Sequence, residues 1–396
     1  ADRKTSGIDV MDVEINELLS DSTYAALTEE RNAPARGLPG AAFTSEKFLQ
    51  RESESIFRRN WVFVAHGHDV PNPGDVKPLR VAGLPLVLVR NAAGEARVFH
   101  NVCRHRGRRV VDEPCSDQRT LICPYHRWAY DLDGGLQSTP HFSGFRKHDT
   151  KGFDRNDFGL APVRSIEWHH WILINLDGDA PAFEDYVTPL VNRIQDWPFR
   201  SPGSGLDSLK HVGRIDFGII KGNWKVVVEN YIEPYHVAYV HAKSCAGQPM
   251  EAHHAYHDGA LVGSEVRLDG WQPGGRTAST RTEALDASAL YLVLFPNFAL
   301  GLYGDSVISI LALPEAPDQT REQFDIYLWD YIEPTEELVA GWIDLNKRIN
   351  AEDIDMIEAV QAGFASPVMS AGTVLSPHWE DCVRQFEKLV LDNVRG

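Results

Sequence analysis

The chain has 396 residues, 43% of them hydrophobic and 24% charged, the balance of a folded globular protein rather than a disordered one. Its 39 basic against 56 acidic side chains leave a formal charge of −17, a surface that repels phosphate backbones and anionic lipid, so nucleic acid and polybasic membrane docking are excluded as partners. The longest apolar runs, such as 171–175 and the ISILAL stretch around Leu311, fall far short of the ~20 residues a bilayer span needs.

The start carries no apolar secretory segment, so none is expected in the sequence shown. Five cysteines (Cys103, Cys115, Cys123, Cys245, Cys382) are odd in number and sparse, which points to a reducing cytoplasm rather than a disulfide framework. In chain order, residues 1–58 read as an N-terminal helical segment packing on the larger C-terminal domain. VMDVEINELLS and FTSEKFLQRESESIFRRNW carry its helical spacing, with a Pro/Gly-rich loop between them. From Trp61 the texture changes to short β-rich runs divided by Asn, Gly, Pro and Asp, with NPGD and AAGE as turns, so 59–178 is expected to be a small all-β domain. Residues 179–396 mix strands with helices. RTEALDASALYLVLFPNFALGLYGDSVISILALPEAP and EQFDIYLWDYIEP are strand-like. TEELVAGWIDLNKRINAEDIDMIEAVQAGF is a long amphipathic helix that stops near Pro367, and a final helix has Ser376 as N-cap. The fold class is α+β: a small all-β domain plus a larger domain with an antiparallel sheet surrounded by helices.

The strongest chemical signal is Cys103-Arg-His105, then seventeen residues, then Cys123-Pro-Tyr-His126. Thiolates and imidazoles suit zinc or iron. Zinc fingers usually keep Cys with Cys and His with His, whereas here each loop offers one of each. That pattern fits a two-iron two-sulfur cluster, one iron on both thiolates and the other on both imidazoles, which is Rieske ligation. Gly107 lets the first loop turn tightly, and the aromatics of CPYHRWAYDLDGGL would keep water away. Cys115 has no partner at ligand spacing and reads as a spectator.

A second constellation lies in NWKVVVENYIEPYHVAYVHA, with Glu233, His236 and His241. Five residues apart on an ideal helix, the two histidines would sit ~140° apart, so they converge only where the helix bulges or ends. Two imidazoles and one carboxylate make a facial triad for non-haem iron(II) with open positions for dioxygen and substrate. Glu352, Asp353, Asp355 and Glu358 all offer that carboxylate, and Asp353 shares an inward face with Ile357. Aromatic residues near the motif (Trp224, Tyr231, Tyr235, Tyr239) and on a strand-like run (Phe295, Phe298, Leu300, Tyr303) are candidates for a substrate pocket, suited to a quaternary ammonium by cation–π contact or to a flat arene by stacking. Tyr231, Tyr239, Phe295, Phe298 and Tyr303 are taken as the pocket set. HHAYHD at His253, His254 and His257 reads as a solvated loop, and Trp224 and Lys225 as support for a helix start.

With both motifs in one chain, residues 40–396 resemble the α subunits of Rieske non-haem iron oxygenases, the ring-hydroxylating oxygenases. The resemblance implies that Cys103, His105, Cys123 and His126 hold a 2Fe-2S cluster and that His236, His241 and Asp353 hold a mononuclear Fe(II), one of each per chain, with O2 as cosubstrate. It implies that Glu233 bridges the centres across a subunit interface, linking the His236 region to His126 of the next copy in a homotrimer. Glu rather than Asp at that place looks like the branch that oxidises quaternary ammonium compounds, whereas EPYHVAYVHA looks closer to the aromatic dioxygenases. The chain has no G-x-G-x-x-G after a strand, so a separate NAD(P)H-dependent reductase, with or without a ferredoxin, is expected to supply electrons. The expected activity is hydroxylation or oxidative demethylation of a quaternary ammonium or related small carboxylate compound. The alternatives are aromatic cis-dihydroxylation and, in other classes, a Rieske electron carrier or redox sensor, or a zinc-stabilised binding module.

Overall fold

A computed structural model describes residues 18–28, 34–148, 150–195, 205–268 and 288–396. The helix expected over 10–20 lies outside the described residues as far as position 17, and so does the start of the strand-like run, 281–287. The chain forms two compact units: Phe57–Pro181, and Ala1–Ile56 together with Ala182–Gly396.

The unit Phe57–Pro181 is built on β1 (Val62–His66), β2 (Val76–Val81), β3 (Leu84–Arg90) and β4 (Ala96–His100). These are followed by the short β5 (Leu121–Ile122), β6 (Ala129–Tyr130) and β7 (Leu136–Ser138), and then by β8 (Pro162–Trp168) and β9 (Trp171–Asn175). Six of them pair antiparallel in the order β1-β9-β8-β4-β3-β2, and β5-β6-β7 make a small second sheet. The turns in NPGD and AAGE sit at Gly74 and Gly94, whose φ of +93° and +83° suit glycine. WILIN in β9 is buried along its whole length, so its apolar run has no polar alternation. Cys103 and Cys123 belong to this unit's core with Trp128 and Tyr130, and Cys115 packs on the edge of that cluster.

The other unit carries a seven-stranded antiparallel sheet. Its strands are β10 (Lys210–Ile220), β11 (His253–Asp258), β12 (Leu261–Arg267), β13 (Ser288–Leu294), β14 (Phe298–Leu302), β15 (Ser306–Ala316) and β16 (Gln319–Leu328), in the order β10-β16-β15-β14-β13-β12-β11. Besides the short turn Ala41–Thr44, its helices among the described residues are α1 (Asp21–Leu27), α2 (Glu46–Glu52), α3 (Phe183–Gln195), α4 (Trp224–Ile232), α5 (Val237–Val240), α6 (Glu336–Phe364) and α7 (Asp381–Arg395). Thr335 caps α6 by accepting from the Leu338 N–H at 3.2 Å, and α6 ends three residues before Pro367. Its buried stripe runs Trp342, Leu345, Asn346, Asn350, Asp353, Ile357, Gln361, Phe364, a helical period with polar residues in the middle.

Two local expectations are corrected. Ser376 does not cap the last helix: its hydroxyl accepts from the His378 and Trp379 N–H groups in a preceding turn, and α7 begins at Asp381 with Glu380 at the cap position. HHAYHD is not a solvated loop but strand β11, paired antiparallel with β12, and its alternation buries His253 while His254 stays exposed. Among the described residues no helix is long and apolar enough to cross a membrane.

Candidate active site

The cysteine–histidine motif folds as two loops of one design. In the first, the Cys103 N–H donates to the Arg108 carbonyl at 2.8 Å and the Gly107 N–H to the Cys103 carbonyl at 2.9 Å. In the second, the Cys123 N–H donates to the Trp128 carbonyl at 2.8 Å and the Arg127 N–H to the Cys123 carbonyl at 3.0 Å. The fifth residue of each loop is left-handed, Gly107 at φ +76° and Arg127 at φ +63°. The loops bring the His105 and His126 Nδ1 atoms within 3.1 Å of each other. Both cysteines are buried, and the imidazoles lie nearer the surface. His105 stacks on Trp128 (4.8 Å, 11°), and the Tyr130 hydroxyl sits 3.2 Å from Cys103 Sγ while accepting from the Arg104 N–H. Two buried thiols and two convergent ring nitrogens fit a cluster ligated by sulfur on its inner iron and nitrogen on its outer one. Tyr130 is a partner the sequence motif did not reveal.

In the other unit, α4 starts at Asn223, whose side chain accepts from the Lys225 N–H at 3.0 Å. Lys225 is wholly buried and pairs with Glu52 at 2.6 Å, and the Trp224 indole donates to the same carboxylate at 3.1 Å. Both residues support the helix and stand apart from the chemistry. Burial pushes the Glu52 pKa up, and Lys225 opposes that shift. Helix α4 stops at Ile232, where Glu233 turns to extended backbone (ψ 135°) ahead of Pro234. One turn, α5, then separates His236 from His241. That break resolves the ~140° divergence of a continuous helix.

Ligand atoms of His236, His241 and Asp353 all lie within 4.8 Å of one another. Asp353 Oδ1 is 3.5 Å from His236 Nε2 and 3.0 Å from His241 Nε2. Each Nδ1 is held by its own carboxylate: His236 by Glu233 at 2.5 Å, His241 by Glu352 at 2.7 Å. Glu352 is fixed in turn by the Ser244 hydroxyl at 2.6 Å, and Asn230 donates to Asp353 at 3.3 Å. Burial lowers the His241 pKa, but hydrogen bonds to Asp353 and Glu352 outweigh it and hold it above its ordinary value. Carboxylates on the far nitrogens fix ring orientation and raise ligand basicity. Two imidazoles and one carboxylate in this arrangement fit a mononuclear iron with open positions. The adjacent acidic pair Glu352-Asp353 was the sequence signal for the outer carboxylate.

A cavity of about 110 Å³ opens from these three residues. Tyr231, Tyr291 and Tyr303 line it. Tyr239 does not: it is 76% exposed. Phe298 is fully buried on the opposite face of β14, because it and Gly301, the residue of that strand that lines the cavity, differ by an odd number. Phe295 packs on Phe386 with ring centres 5.9 Å apart, past the end of β13. Two further residues line it that the sequence did not mark as lining. His253 is buried, with no hydrogen-bond partner for either ring nitrogen among the described residues, and burial pushes its pKa down to about 4; Glu322 is a buried carboxylate held by Asn350.

Residues 60–149 match the Rieske [2Fe-2S] domain, and residues 206–396 match the ring hydroxylating alpha subunit (catalytic domain). The chain is 26% identical over 345 residues to the carnitine monooxygenase oxygenase subunit of Acinetobacter pittii, spanning 83% of this chain and 85% of that protein. It is 26% identical over 341 residues to the chloroplastic choline monooxygenase of Beta vulgaris, spanning 86% and 73%. The solved structure of a quaternary ammonium Rieske monooxygenase shares the fold, with a TM-score of 0.78 at 23% identity over 92% of this chain and 96% of that one. The two matched domains imply a Rieske cluster and a mononuclear iron as resident groups. With a Rieske domain and a ring-hydroxylating catalytic domain in one polypeptide, the chain belongs to the Rieske non-haem iron oxygenases as an α subunit.

Proposed function

We propose that this chain is the terminal oxygenase of a system that hydroxylates or oxidatively demethylates a small quaternary ammonium compound, with electrons from a separate reductase. The observation that carries the reading is the tyrosine-walled cavity opening onto His236, His241 and Asp353. The choline and carnitine oxygenases among its relatives support the substrate class. Cys103, His105, Cys123 and His126 are assigned to the cluster, and His236, His241 and Asp353 to the iron. When bound, the two groups supply single-electron transfer and reductive activation of dioxygen.

The chain's own residues do the rest. Glu233 and Glu352 hold the imidazoles with their Nε2 atoms turned inward. Tyr231, Tyr291 and Tyr303 shape an apolar wall that excludes water and orients the substrate. Glu233 is assigned as the bridge to His126 of a neighbouring copy in a homotrimer, giving protons and electrons a hydrogen-bonded route. The test is oxygen uptake and product analysis on anaerobically purified protein with a reductase and a panel of quaternary ammonium compounds. Formaldehyde or a hydroxylated product coupled to oxygen supports the reading. A cis-diol from an arene, with no turnover of any ammonium compound, replaces it with ring dihydroxylation. The protein should hold about three irons and two acid-labile sulfides per chain, and zinc without sulfide would overturn the assignment of both centres. Glu233→Gln, brought back to three irons per chain with ferrous iron because Glu233 also holds His236, should still lose coupled turnover, and turnover at the wild-type rate by the reloaded variant would remove the bridging role.

A further inference from the structure

We infer that Glu322 is a specificity-determining residue, the counter-charge that selects a cationic head group in the cavity. The inference rests on the oxygenase reading above and narrows its substrate to a cation.

Glu322 lies on β16 and is 2% exposed, yet it lines the cavity. One oxygen accepts from the Asn350 side chain at 2.5 Å. Among the described residues no cation pairs with it, and no lysine or arginine lines the cavity. The other acids of the site are committed: Glu233 and Glu352 to imidazole N–H groups, Asp353 to the two Nε2 atoms. Burial holds the Glu322 pKa up at about 8, so near neutral pH the carboxyl keeps its proton while no cation is beside it, and a ligand cation favours the ionised form. Once ionised it pairs with that cation and repels an anionic group.

The neighbouring walls suit the same charge. Tyr231 meets Tyr291 edge-on at 6.0 Å, and Tyr291 meets Tyr303 edge-on at 5.8 Å. Aromatic faces attract an ammonium that has no N–H to donate. Asn350 sits one turn before Asp353 on α6, so the same helix places the acid that would meet the cation and the carboxylate assigned to the iron.

The test is isothermal titration of the purified holoprotein with choline and with its uncharged carbon isostere, 3,3-dimethylbutan-1-ol. The wild type should bind choline at least roughly tenfold more tightly than the isostere. Glu322→Gln keeps the size of the side chain and an acceptor for Asn350. It should weaken choline roughly tenfold or more and leave the isostere within about twofold. The variant's cluster absorption and circular dichroism must match the wild type for the comparison to count, and the wild-type pair of ligands decides the question without any variant. Equal wild-type affinity for both ligands overturns the inference and leaves the oxygenase reading standing. So does an intact Glu322→Gln protein that binds choline as the wild type does. Binding of neither ligand by the wild type overturns the Glu322 inference and leaves the quaternary ammonium reading to the turnover panel.

Discussion

At the scale of single residues, the site assigned to the iron is a matter of which nitrogen each imidazole turns inward. Glu352 receives the His241 N–H and is itself braced by Ser244, so the ring has one orientation available. Glu352→Gln leaves a side chain able to meet that nitrogen but removes the charge that raises its basicity. The expected result is iron affinity lowered roughly 10–100-fold, with cluster absorption unchanged, measured by iron content after dialysis against a weak chelator. The four residues assigned to the cluster stood out in the sequence because each loop carries its Cys and its His within three positions of each other, where the chain itself fixes the distance. The carboxylate was harder. Four acids in INAEDIDMIE lay within reach, and only packing of α6 decides that Asp353 turns to the histidines while Glu352 grips one of them from behind.

At the scale of elements, the walls of the cavity come from α4, α6 and the strands β11 to β16. Tyr291 and Glu322 share it only through the pairing of those strands, and Tyr231 only through the packing of α4. Spacing in sequence carries no record of that pairing, which is why Phe298 was chosen for the pocket although a strand's two-residue period puts it on the opposite face from Gly301. His253 was missed for a related reason. A run rich in histidine reads as polar, but pairing with β12 makes it a strand and turns its first residue inward. Helix α4 presents a different problem, a lysine wholly inside the protein. Lys225 Nζ lies 5.1 and 5.3 Å from the ring centres of Phe43 and Phe48, with Glu52 as its ion-pair partner. Lys225→Met should cost about 3 kcal/mol in urea unfolding at pH 7, because it strands a buried carboxylate. Lys225→Met together with Glu52→Gln should recover much of that loss.

At the scale of the whole molecule, each unit holds its own core and one of the two assigned centres. The change of texture near Trp61 falls close to the start of the Phe57–Pro181 unit, whose sheets are built of short strands, while the other unit is assembled from both ends of the chain. Joining 1–56 to 182–396 is a long-range event, visible in the bond from Leu38 N–H to Glu387 and in the pairing of Ala35–Arg36 with Val374–Leu375. Helix α6 has a further consequence at this scale. Asn346, Asn350, Glu352 and Asp353 are all indexed on one rod, so their directions share a single phase. One alanine inserted after Leu345 turns everything beyond it by about 100°. Iron retention and discrimination between choline and its carbon isostere should therefore disappear together, while the red-brown absorption of the other unit persists. Insertions of the same length in the turn between β3 and β4 should change neither. The helix is thus the least forgiving stretch of the chain to a change in length, and its neighbours along the cavity can drift in sequence only as far as that fixed phase lets them.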